Sequence, residues 1–243
     1  MIVNSDLIIY ASEYTPFDNS SYAGGNINSS GLRVYFDISY TGQVVAYSNS
    51  TSDTGILSIY GRVNTTGILV NETIQLSGTT PVYSTNSFQR FSRITNSTQA
   101  IGTITVSGIG TIPIGEVGFT KAFINAESPV DGIPGQTLYE KVFYKNNNTS
   151  STLLNAYIEE QQAGLYNIVE FSLENSLNHN ESIANRLTAP TGVSVYSNSS
   201  LDVPSTNIGA LQAQGIWLKM TVLPDNTSGN NSFYRLRLNG YSI

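Results

Sequence analysis

Residues 56–107, ILSIYGRVNTTGILVNETIQLSGTTPVYSTNSFQRFSRITNSTQAIGTITVS, decide the fold. They read as a row of short strands separated by turn signals. Ile56, Leu57, Ile59 and Tyr60 form a β-rich run. Asn64-Thr65-Thr66-Gly67 is a turn cluster whose glycine is free to take positive φ. Ile68, Val70, Glu72, Ile74 and Leu76 then share one parity, so one face of the next strand is apolar except at Glu72. Gly78-Thr79-Thr80-Pro81 turns the chain again, a strand follows over 88–94, and Ile104 and Val106 alternate with Thr103 and Thr105. Strands this short and this regularly spaced predict an antiparallel sandwich or barrel. No catalytic residue type is concentrated here, so the stretch reads as scaffold.

Working outward, the same style continues. Val34, Phe36 and Ile38 alternate with Tyr35, Asp37 and Ser39, and strands are expected over 7–10, 43–47, 138–144, 153–159, 166–173, 216–223 and 233–238. No long segment has a 3.6-residue period, and one helical turn at most is expected, over 208–214. The 243 residues suit two β-sandwich domains, immunoglobulin-like or jelly-roll-like, of ~120 residues each. The expected division is 1–118 and 119–243, with the change within 117–134, where Pro129 and Asp131-Gly132-Ile133-Pro134-Gly135 punctuate the chain. Residues 12–30, rich in Ser, Asn, Gly and Tyr, read as a long loop or arm. Its rings, Tyr14, Phe17 and Tyr22, need burial somewhere, which marks them as candidate contacts for a partner.

Composition narrows the function. Apolar residues make up 40 % and charged residues 12 %, with a net charge of −6, so the chain folds and draws its polarity from Ser, Thr, Asn and Gly. Eleven scattered basic residues against seventeen acidic ones argue against nucleic acid. Arg235 and Arg237 are the nearest thing to a basic pair and read as an outward strand face. With no cysteine, disulfides and thiolate chemistry are excluded. No apolar run reaches the ~20 residues that span a bilayer, and no signal peptide is expected from the first residues. The single histidine, His179, lies in a polar loop and reads as an exposed side chain rather than part of a triad or metal site. Glu159 and Glu160 point to opposite strand faces and make a poor acid/base pair. Trp217 reads as core. The glycine-rich 108–115 lacks the phosphate-loop patterns. No catalytic, cofactor or metal residue is assigned, and no enzyme activity is expected.

Twelve Asn-x-Ser/Thr sequons occur, at Asn19, Asn28, Asn49, Asn64, Asn71, Asn96, Asn147, Asn148, Asn180, Asn198, Asn226 and Asn230. Nearly all fall in expected turns, where Asn, Ser and Thr are favoured anyway. They are candidate glycosylation sites in a host able to use them.

Several segments resemble virion proteins of tailed phages. These are Ser58-Ile59-Tyr60-Gly61-Arg62, residues 72–82 (ETIQLSGTTPV), Phe88-Gln89-Arg90-Phe91 and Gly102-Thr103-Ile104-Thr105-Val106. Downstream they continue with residues 139–146 (YEKVFYKN), 184–190 (ANRLTAP) and 214–219 (QGIWLK). The likeness runs over 58–239 and its motifs are structural rather than chemical. It implies a β-sandwich subunit that decorates or cements the outer capsid surface of a bacterial or archaeal tailed virus. The implied partners are the major capsid protein or other virion proteins, with a homo-oligomer, dimer or trimer, as the working form. The alternatives are a tail, neck or fibre component that binds a glycan, or a cell-surface β-sandwich module.

Overall fold

The computed structural model describes residues 1–15, 22–35, 39–123, 137–162, 167–193, 195–222 and 235–242. The chain is all-β, as its periodicity predicts; the one helical element among the described residues is a 3-10 turn, Asn4–Asp6. It divides into two compact units, Met1–Asn28 with Ala122–Ile243, and Ser29–Lys121.

This corrects the expected division at 118/119. The second cut falls inside the stretch 117–134, but the first 28 residues belong with the C-terminal half. The cause is a pairing between residues far apart in sequence. Strand β1 (Leu7–Tyr14) lies antiparallel to β11 (Thr137–Asn146), from Leu7 opposite Asn146 to Ala11 opposite Val142. Partners this far apart leave no local trace in composition or periodicity. The arm is corrected too. Ser12 to Tyr14 complete β1, and β2 (Ala23–Ile27) pairs with it. Phe17 and Asn19 lie outside the described residues.

The unit Ser29–Lys121 is contiguous in sequence and built from β3 (Leu32–Val34), β4 (Ser39–Ser48), β5 (Ile56–Val63), β6 (Leu69–Gln75), β7 (Val82–Asn96), β8 (Ile104–Val106), β9 (Gly110–Ile112) and β10 (Gly118–Thr120). Their order is β3-β10-β7-β4-β8-β9, with β5 on β7 and β6 on β5. Alternation does what the sequence promises: Leu57, Ile59, Gly61 and Val63 of β5 are buried, while Ile56 and Arg62 are exposed. The long β7 pairs with β4, β5 and β10, and its register shifts within the pairings with β4 and β5. Phe88, Phe91, Ile94, Leu57, Ile59 and Ile104 form the centre of one apolar core, each fully enclosed. A polar clasp holds the loops beside it. Asp53, 2 % exposed, accepts hydrogen bonds from Ser48 Oγ at 2.5 Å and from the amides of Ile101 and Gly102 at 2.8 and 2.9 Å. Burial alone would raise its pKa; these three bonds outweigh it and hold the carboxyl below its ordinary value.

The discontinuous unit holds β1, β2, β11, β12 (Leu154–Gln162), β13 (Asn167–Leu177), β14 (Ser182–Ile183), β15 (Ser200–Asp202), β16 (Ala213–Val222) and β17 (Arg235–Tyr241). One sheet runs β13-β16-β11-β1, with β2 on β1 and β14 on β2; a second, three-stranded sheet runs β15-β12-β17. The expected helical turn over 208–214 is absent. Ile208 instead bridges to Leu153, and Leu211 takes φ +61°. Central strands here are covered on both faces: residues 139–144 of β11 and 213–218 of β16 are all buried. Because side chains alternate, burying β11 on both sides buries one ionisable side chain on each face, Glu140 on one and Lys141 on the other.

Candidate functional site

The densest chemistry surrounds Lys141, whose side chain is fully enclosed. Its Nζ lies 2.7 Å from Glu174 Oε1 and donates to the carbonyl oxygens of His179 at 2.9 Å, Gly25 at 3.1 Å and Glu181 at 3.1 Å. The rings of Phe143 and Trp217 wall it in, with centroids 4.8 and 5.6 Å from Nζ. Glu174, on β13, also receives Trp217 Nε1–H at 3.2 Å. His179 Nδ1 lies 3.2 Å from the same carboxylate oxygen, with the imidazole 45 % exposed.

Glycines make the cluster possible. Lys141 and Glu174 stand on β11 and β13, which flank β16, and they meet over Gly215 of that middle strand. A Cβ at Gly215 would come within 2.3 Å of Glu174 Oε2 and 3.2 Å of Lys141 Cε. Gly24 has φ +88°, and a Cβ there would stand 2.5 Å from the Glu181 carbonyl oxygen and 2.7 Å from the Trp217 ring. Gly24-Gly25, a loop signal in sequence, thus marks the close approach of a strand to the cluster.

Chemically, this is a fastening. Burial pulls the Lys141 pKa down and Glu174 opposes it. Four oxygens surround the three N–H donors of the ammonium, and they come from β2, β13 and the loop after β13. Glu174, His179 and Glu181 bring carboxylate and imidazole ligand atoms within 4.8 Å of one another. A divalent cation among them would sit beside the Lys141 ammonium, which already supplies the positive charge, so the set does not fit a metal. Glu181 Oε1 accepts from the amides of Thr191 and Gly192, both at 2.8 Å, while Glu181 Oε2 and Glu174 Oε2 are buried with no hydrogen-bond partner among the described residues.

On the other face of β11, Glu140 meets Arg186, with Nε 2.6 Å from Oε1 and both side chains buried. Burial pushes the Glu140 carboxyl up to about 8 against the attraction of Arg186. In the other unit, Arg33 donates to Glu116 through Nε and, at 2.8 Å, through Nη2.

The residues singled out from sequence are scattered. Tyr14 and Tyr22 pack on each other, ring centroids 5.4 Å apart, instead of standing separately; Tyr22 is 41 % exposed. Asn49, Asn64, Asn71, Asn180 and Asn198 are exposed. Asn28, Asn147 and Asn148 are half-buried, with Asn147 Nδ2 donating to Tyr10 Oη and Asn148 Nδ2 to Asp6 Oδ2. Asn96, at the end of β7, is 4 % exposed and faces Gly55, so its sequon is closed to a glycan in the folded chain. Asn226 and Asn230 lie outside the described residues. Trp217 is core, with no exposed surface. Glu159 accepts from Asn239 and Gln161, while Glu160 lies opposite Leu236. His179 is half exposed, as its loop suggests, yet its ring touches the buried carboxylate, which the loop sequence gave no sign of. The missed cluster had one signal, the Glu140-Lys141 pair inside the apolar run 138–144: charges flanked by Tyr and Phe in a central strand must find partners.

Compared with models of known protein families, with curated proteins and with solved structures, the chain matches none.

Proposed function

We propose that the chain is a virion structural protein of a tailed virus. It decorates or cements the outer capsid surface and stabilises the head through protein–protein contacts, as a homo-oligomer of two or three copies. The carrying observation is the enclosure of Lys141: the most elaborate polar cluster among the described residues takes every oxygen around its cation from the chain itself and fastens four segments together. That suits a subunit selected for mechanical persistence. The segments that resemble tailed-phage virion proteins support the same reading, as do apolar residues left exposed for contacts, among them Ile68, Tyr83, Ile101 and Ile114. Electron microscopy of native particles tests it. The subunit is expected on the outer face of the head, and its location on the tail, or its absence from the particle, overturns the reading.

A tail, neck or fibre component holding a neutral glycan is the second reading, favoured by one observation. Tyr83 and Tyr47, 62 % and 40 % exposed, share the outward face of β7 and β4, since Tyr83 stands opposite Val45 and Tyr47 is two residues further on. Glycan binding that disappears in Tyr47→Ala/Tyr83→Ala would support this role. If the exposed sequons are used, the mass of the protein from native particles exceeds 26.3 kDa by one or more glycans; an unmodified mass leaves turn chemistry as their explanation.

A further inference from the structure

We infer that the open edge of β17 is a docking site for an extended acidic segment of a different protein, taken up as an added strand. β17 ends the sheet β15-β12-β17, and among the described residues no strand pairs with its far edge. A cleft of about 510 Å³ borders this strand. Every residue from Arg235 to Tyr241 borders this cleft, with Ile2, Leu7, Tyr144 and Leu153 among the residues completing it. The Tyr144 hydroxyl donates to the Leu236 carbonyl at 3.2 Å, so a side-chain donor already meets one backbone group of this strand. A largely polar cleft with a few apolar side chains, beside an open strand edge, offers the backbone groups that peptide recognition by strand addition uses.

Charge selects the occupant. Arg235 and Arg237 are exposed and share one face, whereas Leu236 and Leu238 are buried. In a chain of net charge −6, two of eleven basic residues stand on this edge. None of the other edge strands, β6, β9, β13 and β15, carries a lysine or arginine. Glu159 lies opposite Arg237 on the paired side, a cross-strand partner of opposite charge whose Oε1 also accepts from Asn239 and Gln161, while Arg235 has no acidic residue opposite it. A strand added on the open side sets its alternate side chains across from Arg235 and Arg237, where opposite charges stabilise and like charges destabilise. A second copy paired antiparallel about Leu236 would set Arg235 against Arg237, which disfavours that register, whereas a strand with Asp or Glu at alternate positions meets opposite charge. The inference does not depend on the virion reading, because it concerns the purified chain.

The test uses the full chain and two labelled peptides, one alternating valine with glutamate and one alternating valine with lysine, followed by fluorescence anisotropy. The glutamate peptide is expected to bind, more weakly as salt rises, and the lysine peptide is not. Arg235→Glu/Arg237→Glu should lower affinity for the glutamate peptide at least tenfold and create affinity for the lysine peptide. Amide exchange on the unaltered protein gives an independent readout should that variant misfold: the glutamate peptide should slow exchange in β17 selectively. Equal binding of the two peptides, no binding of the glutamate peptide, or protection elsewhere than β17 overturns the inference.

Discussion

The two units solve the same problem with different means. The unit Ser29–Lys121 is one continuous stretch whose apolar residues alternate into a single core around Phe88, Phe91 and Ile94. The other unit is assembled from both ends of the sequence. It covers its central strands on both faces and buries an ionisable pair on each, with Lys141–Glu174 on one and Glu140–Arg186 on the other. An apolar core tolerates graded losses, since each missing methylene costs on its own account. A buried ion pair behaves as a unit, because losing one partner strands the other charge in a medium that cannot solvate it.

The largest expected effect tests whether the discontinuous unit really needs the N-terminal segment. Deleting residues 1–28 removes β1 and β2, and with them the antiparallel partner of β11 and the Gly25 carbonyl at Lys141. Amide exchange should show residues 122–243 unprotected while 29–121 keep their protection. Equal protection of both regions after the deletion would break the comparison.

Next comes the pair itself. Lys141→Met leaves Glu174 buried and uncompensated and should cost about 3–5 kcal/mol, read from urea unfolding. The double variant Lys141→Met/Glu174→Leu should recover most of that loss. Phe88→Ala, in the apolar core, should cost a similar ~3–5 kcal/mol with no second substitution of this kind to rescue it. Absence of rescue at Glu174 would mean that Lys141 acts by packing alone.

A smaller effect belongs to Asp53. Asp53→Ala removes the acceptor for Ser48, Ile101 and Gly102 and should cost about 1–3 kcal/mol through buried donors left unmet. The folded-state pKa is depressed, so this contribution is present above the ordinary value of 3.8 and is lost as pH falls through the lowered one. Wild type and Asp53→Ala should therefore converge in acid; a constant gap down to strong acid would contradict the assignment.

What the sequence made legible follows the same divide. The strands of 56–107 were readable because one face is buried and one is wet, which prints alternation into the residues: Leu57 and Ile59 in, Ile56 out. Where strands are buried on both faces, alternation vanishes. The run 138–144 could be recognised as a strand, but nothing local says that Lys141 crosses Gly215 to reach Glu174. Gly24-Gly25 misled for a physical reason, since positive φ in a strand squeezed against Trp217 and positive φ in a loop leave the same residue. The pairing of β1 with β11 was out of reach, because register between distant strands is set by tertiary packing and not by either strand alone. The sequons, likewise, report residue types and not exposure, which is why Asn96 reads like Asn64 although only Asn64 is exposed.

The last prediction is the smallest over one pH unit and separates the two buried pairs within the discontinuous unit. Glu140 is 4 % exposed, and burial raises its carboxyl from 4.5 to about 8 even with Arg186 beside it. The sign follows from proton counting. Between these two values the folded chain holds a proton that the unfolded chain has released, so stability falls as pH rises from 4.5 towards 8. Within that window the slope contributed by this group is about 1 kcal/mol per pH unit. Glu140→Gln keeps an oxygen for the Arg186 guanidinium and removes the titration, so its stability should be flatter with pH over the same window. Lys141 shifts with the opposite sign: burial lowers its amine from the ordinary 10.5, so what it contributes rises with pH instead of falling. Urea midpoints of wild type and Glu140→Gln, measured at intervals from pH 5 to pH 8, decide the matter. Parallel curves, or a wild-type curve that rises relative to the variant, would show that Arg186 overcomes burial and keeps Glu140 ionised, making the two faces of β11 alike.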